Sequence, residues 1–251
     1  MSSPPPLSGM RRGLLVSCAL LAWLCAGILM AIPPLTTRSA VAAMGITDEA
    51  LRGRWFSWYV CAFLLGAAAG GFIFGWLGDR AGRSKAMGLS VLTYSLFAGC
   101  CYFVTSPEQL LVLWFLSSTG VGGVWPNGVS LASEALPGMS RPWISGLFGC
   151  SANLGLMLMA MLAWWKPISP DDWRWVMLVA ATPLVLGLIV LVFVPESPAW
   201  LVSRQLPTIR KSPSLVGTVF RPPLLRFTVI GILLGAIPLM GNWGSANWLV
   251  P

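Results

Sequence analysis

The chain contains no histidine and only eight aspartates and glutamates, and charged side chains of every kind make up 10% of its 251 residues. Soluble domains carry about a quarter. Without histidine, and with no cysteine pair at zinc-finger spacing, a metal centre has almost nothing to be built from. No nucleophile, base and metal ligand converge at one depth, which argues against a membrane-embedded enzyme. The six cysteines, Cys18, Cys25, Cys61, Cys100, Cys101 and Cys150, all lie within or beside apolar runs. They read as free, small fillers rather than as an extracellular disulfide framework. Neither a cofactor nor a metal is expected.

What the chain has instead is apolar surface: 56% of its residues are hydrophobic. One water-soluble core cannot hide that much, so lipid must serve as solvent. Seven stretches are long enough to cross a bilayer, over 13–32, 55–77, 86–104, 110–133, 143–165, 175–194 and 227–250. None alternates like a strand, and hydrocarbon tolerates only helices or closed barrels, so an all-α transmembrane bundle is expected. The net charge of +8 does not point to nucleic acid, because the basic residues sit in short gaps between apolar runs.

Counting those residues in alternate loops gives an orientation. Eleven fall on the N-terminal side: Arg11, Arg12, Arg80, Arg83, Lys85, Arg141, Arg204, Arg210, Lys211, Arg221 and Arg226. Five fall on the other, Arg38, Arg52, Arg54, Lys166 and Arg174, where Asp48, Glu49, Glu108, Asp171 and Asp172 balance them. The excess predicts a cytoplasmic N-terminus in an inner membrane. Tryptophans 55, 58, 143, 164, 165, 173 and 175 cluster at predicted span ends, where an amphipathic indole sits well. Arg11, Arg12 and the run after them also suit a cleaved secretory signal. The run is too long for one, and cleavage would place the next loop on the wrong side, so a retained helix is expected.

The organisation that follows has four parts. Residues 1–12 form a disordered cytoplasmic N-terminus and 13–194 a six-helix bundle. Residues 195–226, rich in proline and basic side chains, form a cytoplasmic linker along an anionic leaflet. Residues 227–251 are a seventh helix. Six helices, a linker and one more helix outline a two-bundle protein cut short before its second bundle is built.

The loop between the second and third spans reads Gly75-Trp76-Leu77-Gly78-Asp79-Arg80-Ala81-Gly82-Arg83-Ser84-Lys85. Its glycines permit a tight turn where helices approach closely, Asp79 suits a helix N-terminus or an arginine, and the cations suit an anionic leaflet. This D-R-x-G-R run, placed between spans two and three, closely resembles the signature of the major facilitator superfamily. Two other segments agree. Gly120, Gly122, Gly123, Pro126 and Gly128 with the following Glu134-Ala-Leu-Pro137-Gly-Met-Ser-Arg141 are similar to the fourth helix and loop of its sugar-porter-like and organic-acid-transporter-like branches. Pro195-Glu196-Ser197-Pro198-Ala199-Trp200-Leu201 resembles the PESPxWL motif of the same branches.

The resemblance implies two six-helix bundles with a solute site between them near mid-membrane, opened alternately to each side. Carried over by position, Gly75, Asp79, Arg80, Gly82, Arg83, Glu134, Arg141 and Glu196 would form a cytoplasmic gate whose charges hold the outward-open state. Simple loop anchoring is the alternative for each. The sequence departs from the pattern in the membrane: the first span has no acid, Val124 stands where an acid often precedes the fourth-span proline, and no span has a charge near its middle. Proton coupling therefore has no evident carrier. Gly146, Gly149 and Gly155 lack the companion proline of drug antiporters, which weakens an exporter reading.

Polar residues inside spans are costly and become candidates to line a solute path. They are Asn127 beside Trp125, Asn153, and Asn242, Trp243 and Asn247 in the last span. Amides and indoles suit an uncharged or zwitterionic polar solute; interhelical ties and interface packing are the alternatives. The leading expectation is a permease of a small organic solute such as a sugar or organic acid, working in the bilayer with the missing bundle or a second copy. The rival is a transport-inactive half-protein that persists as a fragment or scaffold.

Overall fold

The structure, a computed structural model, describes residues 8–136, 138–205 and 215–246. Among these every regular element is helical: α1 (Gly9–Ala43), α2 (Glu49–Ala81), α3 (Arg83–Cys100), α4 (Pro107–Ala135), α5 (Arg141–Trp165), α6 (Trp175–Ala181), α7 (Pro183–Phe193), α8 (Pro198–Gln205), α9 (Leu215–Val219) and α10 (Leu225–Ala246). The chain divides into two compact units, 1–201 and 202–251. In the second unit, the Thr228 hydroxyl at the start of α10 donates to the Val219 carbonyl at the end of α9 at 2.8 Å.

Among the described residues five helical segments are long and apolar enough to cross a membrane: Gly9–Ala43, Glu49–Ala81, Arg83–Phe103, Arg141–Trp165 and Trp175–Phe193. The two other expected spans fall on α4 and α10. Helix α4 has the length but lower hydropathy, because it carries Ser117, Ser118, Thr119, four glycines and Asn127; the two serines and the asparagine are turned inward and buried. In α10 the described residues include an apolar helical stretch over Leu225–Ile237.

Helix bounds differ from the expected ones near two proline sites. Helix α1 runs eleven residues past 32, through Pro33 and Pro34. Leaving the helix inside hydrocarbon would strip backbone groups of partners, so the helical ladder continues. The nearby Thr36 and Thr37 hydroxyls, both buried, donate to the Ile32 and Pro33 carbonyls at 2.7 Å. Conversely, the sixth span is split between α6 and α7 at Pro183, which has no N–H to continue the ladder.

Within the first unit α4 packs on α2 and α3, α1 on α5, and α3 on α7. Lipid provides no hydrophobic drive between helices, so close backbone packing must do that work. At the α2–α4 contact a β-carbon on Gly70 would overlap the Thr119 carbonyl, and one on Gly122 the Ala67 carbonyl. The α1–α5 contact repeats the device, with Gly27 against Ala152 and Gly155 against Leu24. Outside these seams large apolar side chains face outward, among them Leu65, Phe72, Met161 and Val192. Trp143, Trp164 and Trp165 are exposed at the ends of α5 as an interfacial belt requires, but Trp55 and Trp173 are buried and serve as core.

Candidate functional site

The most connected polar site lies where α2 turns into α3. Gly82 makes the turn at φ 115°, a conformation that side-chain-bearing residues rarely adopt, and it caps α3 without any side chain of its own. The orphan N–H groups of α3 therefore need an acceptor from elsewhere. Glu196, just after α7, supplies it. Its Oε1 accepts from the N–H of Arg83 at 2.9 Å and of Ser84 at 3.1 Å, and from Ser197 N–H at 3.0 Å. A carboxylate at a helix N-terminus gains from both these bonds and the helix dipole.

Arg83 then links two other helices. Its Nη2 stands 3.1 Å from Asp79 Oδ1, one turn back across the α2–α3 corner, and its Nε 3.1 Å from Glu134 Oε1 near the end of α4. The second contact is an ion pair rather than an aligned hydrogen bond. Both Arg83 and Glu134 are about three-quarters buried, whereas Asp79 is 55% exposed. Ser197 donates its hydroxyl to Glu134 Oε2 in a short contact. The Trp200 indole N–H donates to the Asp79 carbonyl at 3.0 Å, and Ser84 Oγ to the Val194 carbonyl at 3.0 Å. Three carboxylates thus surround one guanidinium and one helix N-terminus, tying α2, α3, α4 and the segment after α7.

Of the eight gate residues expected from sequence, Asp79, Gly82, Arg83, Glu134 and Glu196 meet here. Arg80 does not; its guanidinium lies over the Trp76 ring at 4.4 Å, on the exposed side of α2. Arg141 opens α5 as an exposed residue, with no ion pair to another described residue. Gly75 has open space around it and is not a point of close approach. Ser84, Ser197 and Trp200 stand within the quoted motifs but were not expected as gate residues; the motifs do not show which carbonyl or carboxylate their side chains meet.

The second candidate set lies deeper. Asn127 is fully buried, and its Nδ2 donates to the carbonyls of Phe74 at 2.9 Å and Gly123 at 2.8 Å. Its Oδ1 meets no donor among the described residues and presses on Gly78, where any β-carbon would overlap it. Asn153 is exposed on α5 and bonds back to Gly149 O at 2.9 Å. Trp125 is 38% exposed; Trp23 of α1 lies 5.0 Å away and Phe148 of α5 6.1 Å away, both by ring centroids. Asn242 and Trp243 fall on α10, and Asn247 lies outside the described residues.

An all-helical bundle with several membrane-length segments, seamed by glycine and tied at one end by buried charge, is that of a multi-pass membrane protein. The comparisons name the group: residues 14–250 match the model of the Major Facilitator Superfamily, and the chain belongs to that superfamily. It is 36% identical over 140 residues, 55% of the chain and 31% of the relative, to the inner membrane metabolite transport protein YgcS of Escherichia coli. It is 30% identical over 191 residues, 74% of the chain and 46% of the relative, to the cis,cis-muconate transport protein of Acinetobacter baylyi. The inward-open xylose transporter XylE from E. coli superposes with a TM-score of 0.70 over 95% of this chain and 63% of that one; at 19% identity this likeness speaks for the fold alone. The chain spans less than half the length of these two curated relatives.

Proposed function

We propose that the chain forms the N-terminal part of a secondary-active permease for a small organic solute, such as a sugar or organic acid, in a bacterial inner membrane. Residues 13–194 act as one six-helix bundle, 195–226 as a cytoplasmic linker, and 227–251 as a seventh span. A further bundle, or a second copy, closes the solute path. The N-terminus and the α2–α3 turn face the cytoplasm, in keeping with the basic residues gathered at that end.

The observation that carries this reading is Glu196. One carboxylate caps α3 while Arg83 of that same helix pairs with Asp79 of α2 and Glu134 of α4, so four parts of the bundle share one set of bonds. Such a set holds one arrangement of helices and must release when they rock, which is how a latch serves alternating access. Gly82, Ser197 and Trp200 support it; Arg80 and Arg141 stand at its rim toward lipid headgroups. Asn127 acts as a tie between α2 and α4, while Trp125, and Asn153 on α5, border the solute path, with Asn242, Trp243 and Asn247 as candidates from the last span.

Solute counterflow into liposomes containing the full chain tests the proposal without assuming a coupling ion. Saturable flux above protein-free liposomes is expected, with Asp79→Ala changing its rate. Flux equal to the protein-free control for sugars and organic acids alike would leave the scaffold reading in its place, and flux unaltered by Asp79→Ala would remove the latch.

A further inference from the structure

The aromatic cluster of α1, α4 and α5 plays no part in the charge latch. From residue 113 to 135, Trp125 is the only exposed position of α4; every other residue there is at least half covered by neighbouring helices. It lies ten residues from the end of α4, about 15 Å along the helix axis. That depth is near mid-membrane, well away from the interfacial belts where tryptophan ordinarily anchors a span. Its outward position is therefore not explained by anchoring.

Two rings hold it in place. Trp23 is tilted at 57° to it, and Phe148 meets it edge-on at 88°. The Trp23 indole N–H is buried and has no acceptor among the described residues. A leucine would fill that space without burying an idle donor, so packing alone does not account for the indole. The surrounding wall is free of charge: no Asp, Glu, Lys or Arg occurs over 13–37 of α1, 109–133 of α4 or 142–165 of α5. An organic cation or anion held against it would lack a counter-charge on these three helices, which is costly at this depth. An uncharged planar ring instead gains from stacking on a fixed indole.

We infer that Trp125, positioned by Trp23 and Phe148, forms a stacking platform for an uncharged planar π ring, and that this ring is the part of the solute that meets the N-terminal bundle. The inference rests on the permease reading and narrows its substrate class to ring-bearing solutes with an unsaturated planar face.

The test is saturation-transfer NMR on the purified full chain in lipid nanodiscs, with four probes: benzamide, cyclohexanecarboxamide, xylose and tetramethylammonium. Benzamide should bind about tenfold more tightly than its saturated counterpart. Trp125→Ala and Trp23→Ala should abolish that preference, Trp125→Phe should keep part of it, and Trp164→Ala, at the exposed end of α5, should leave it intact. Equal binding of the two amides, a benzamide preference that survives Trp125→Ala, or stronger binding of xylose or tetramethylammonium would overturn the platform while leaving a solute-binding bundle. Binding of none of the four would overturn the platform, and the absence of counterflow for sugars and organic acids alike would overturn the permease reading on which it rests.

Discussion

At the end of the bundle where α2 turns into α3, Arg83 and Glu134 are about three-quarters buried and each bond crosses from one helix to another. At the opposite end Arg38 and Glu49 pair at 3.3 Å with 61% and 62% of their side chains exposed, and Lys166 pairs with Asp172 across a single loop. The residue types are the same, but their surroundings are not. Water and salt screen the exposed pairs, and ordering long side chains cancels much of what remains. The buried set has displaced that water and cannot lose one member without stranding another. One residue at the outer end breaks this division: Arg174 donates from Nε to Tyr102 O at 3.0 Å and from Nη2 to Val104 O at 2.9 Å, closing the carbonyls left open where α3 ends.

The contrast predicts a ranking of effects on unfolding free energy in mixed micelles. The largest belongs to Gly82→Ala, which forces a side chain into φ 115° and drives its β-carbon onto the Glu196 carboxylate; a loss of about 2–3 kcal/mol is expected. Glu196→Ala should cost about 1–2 kcal/mol by uncapping α3, with Glu196→Gln costing less because one acceptor oxygen remains. Arg174→Ala should cost about 1 kcal/mol, the value of its backbone hydrogen bonds. Arg38→Ala should fall within about 0.5 kcal/mol of the parent. An Arg38→Ala effect as large as that of Glu196→Ala would erase the distinction between the two ends.

How much of this was readable beforehand follows the same division. The D-R-x-G-R turn carries its chemistry in adjacent residues, so Asp79, Gly82 and Arg83 could be picked out from sequence. Glu196 and Glu134 were reached through resemblance; that Glu196 would bind the backbone of α3, more than a hundred residues earlier, has no local sign. The membrane interior was harder. A helix between lipid and protein is apolar on both faces, so periodicity does not tell which side is inward. Asn127 could as well have lined a path as tied helices, and only its bond to the Phe74 carbonyl of α2 favours the tie. Trp23, one apolar residue in a long apolar run, carried no signal. The first span was bounded at 32, yet α1 continues through Pro33 and Pro34, because hydrocarbon gives the backbone no alternative partner.

The latch itself is tested most directly at the first turn of α3, by hydrogen–deuterium exchange of the full chain in nanodiscs, with and without a transported solute. The account predicts that the Arg83 and Ser84 amides, bonded to Glu196, exchange slowly at rest, faster during solute exchange, and fast throughout in Glu196→Ala. Amides that exchange at the same rate in the parent chain, with solute and in Glu196→Ala would contradict it.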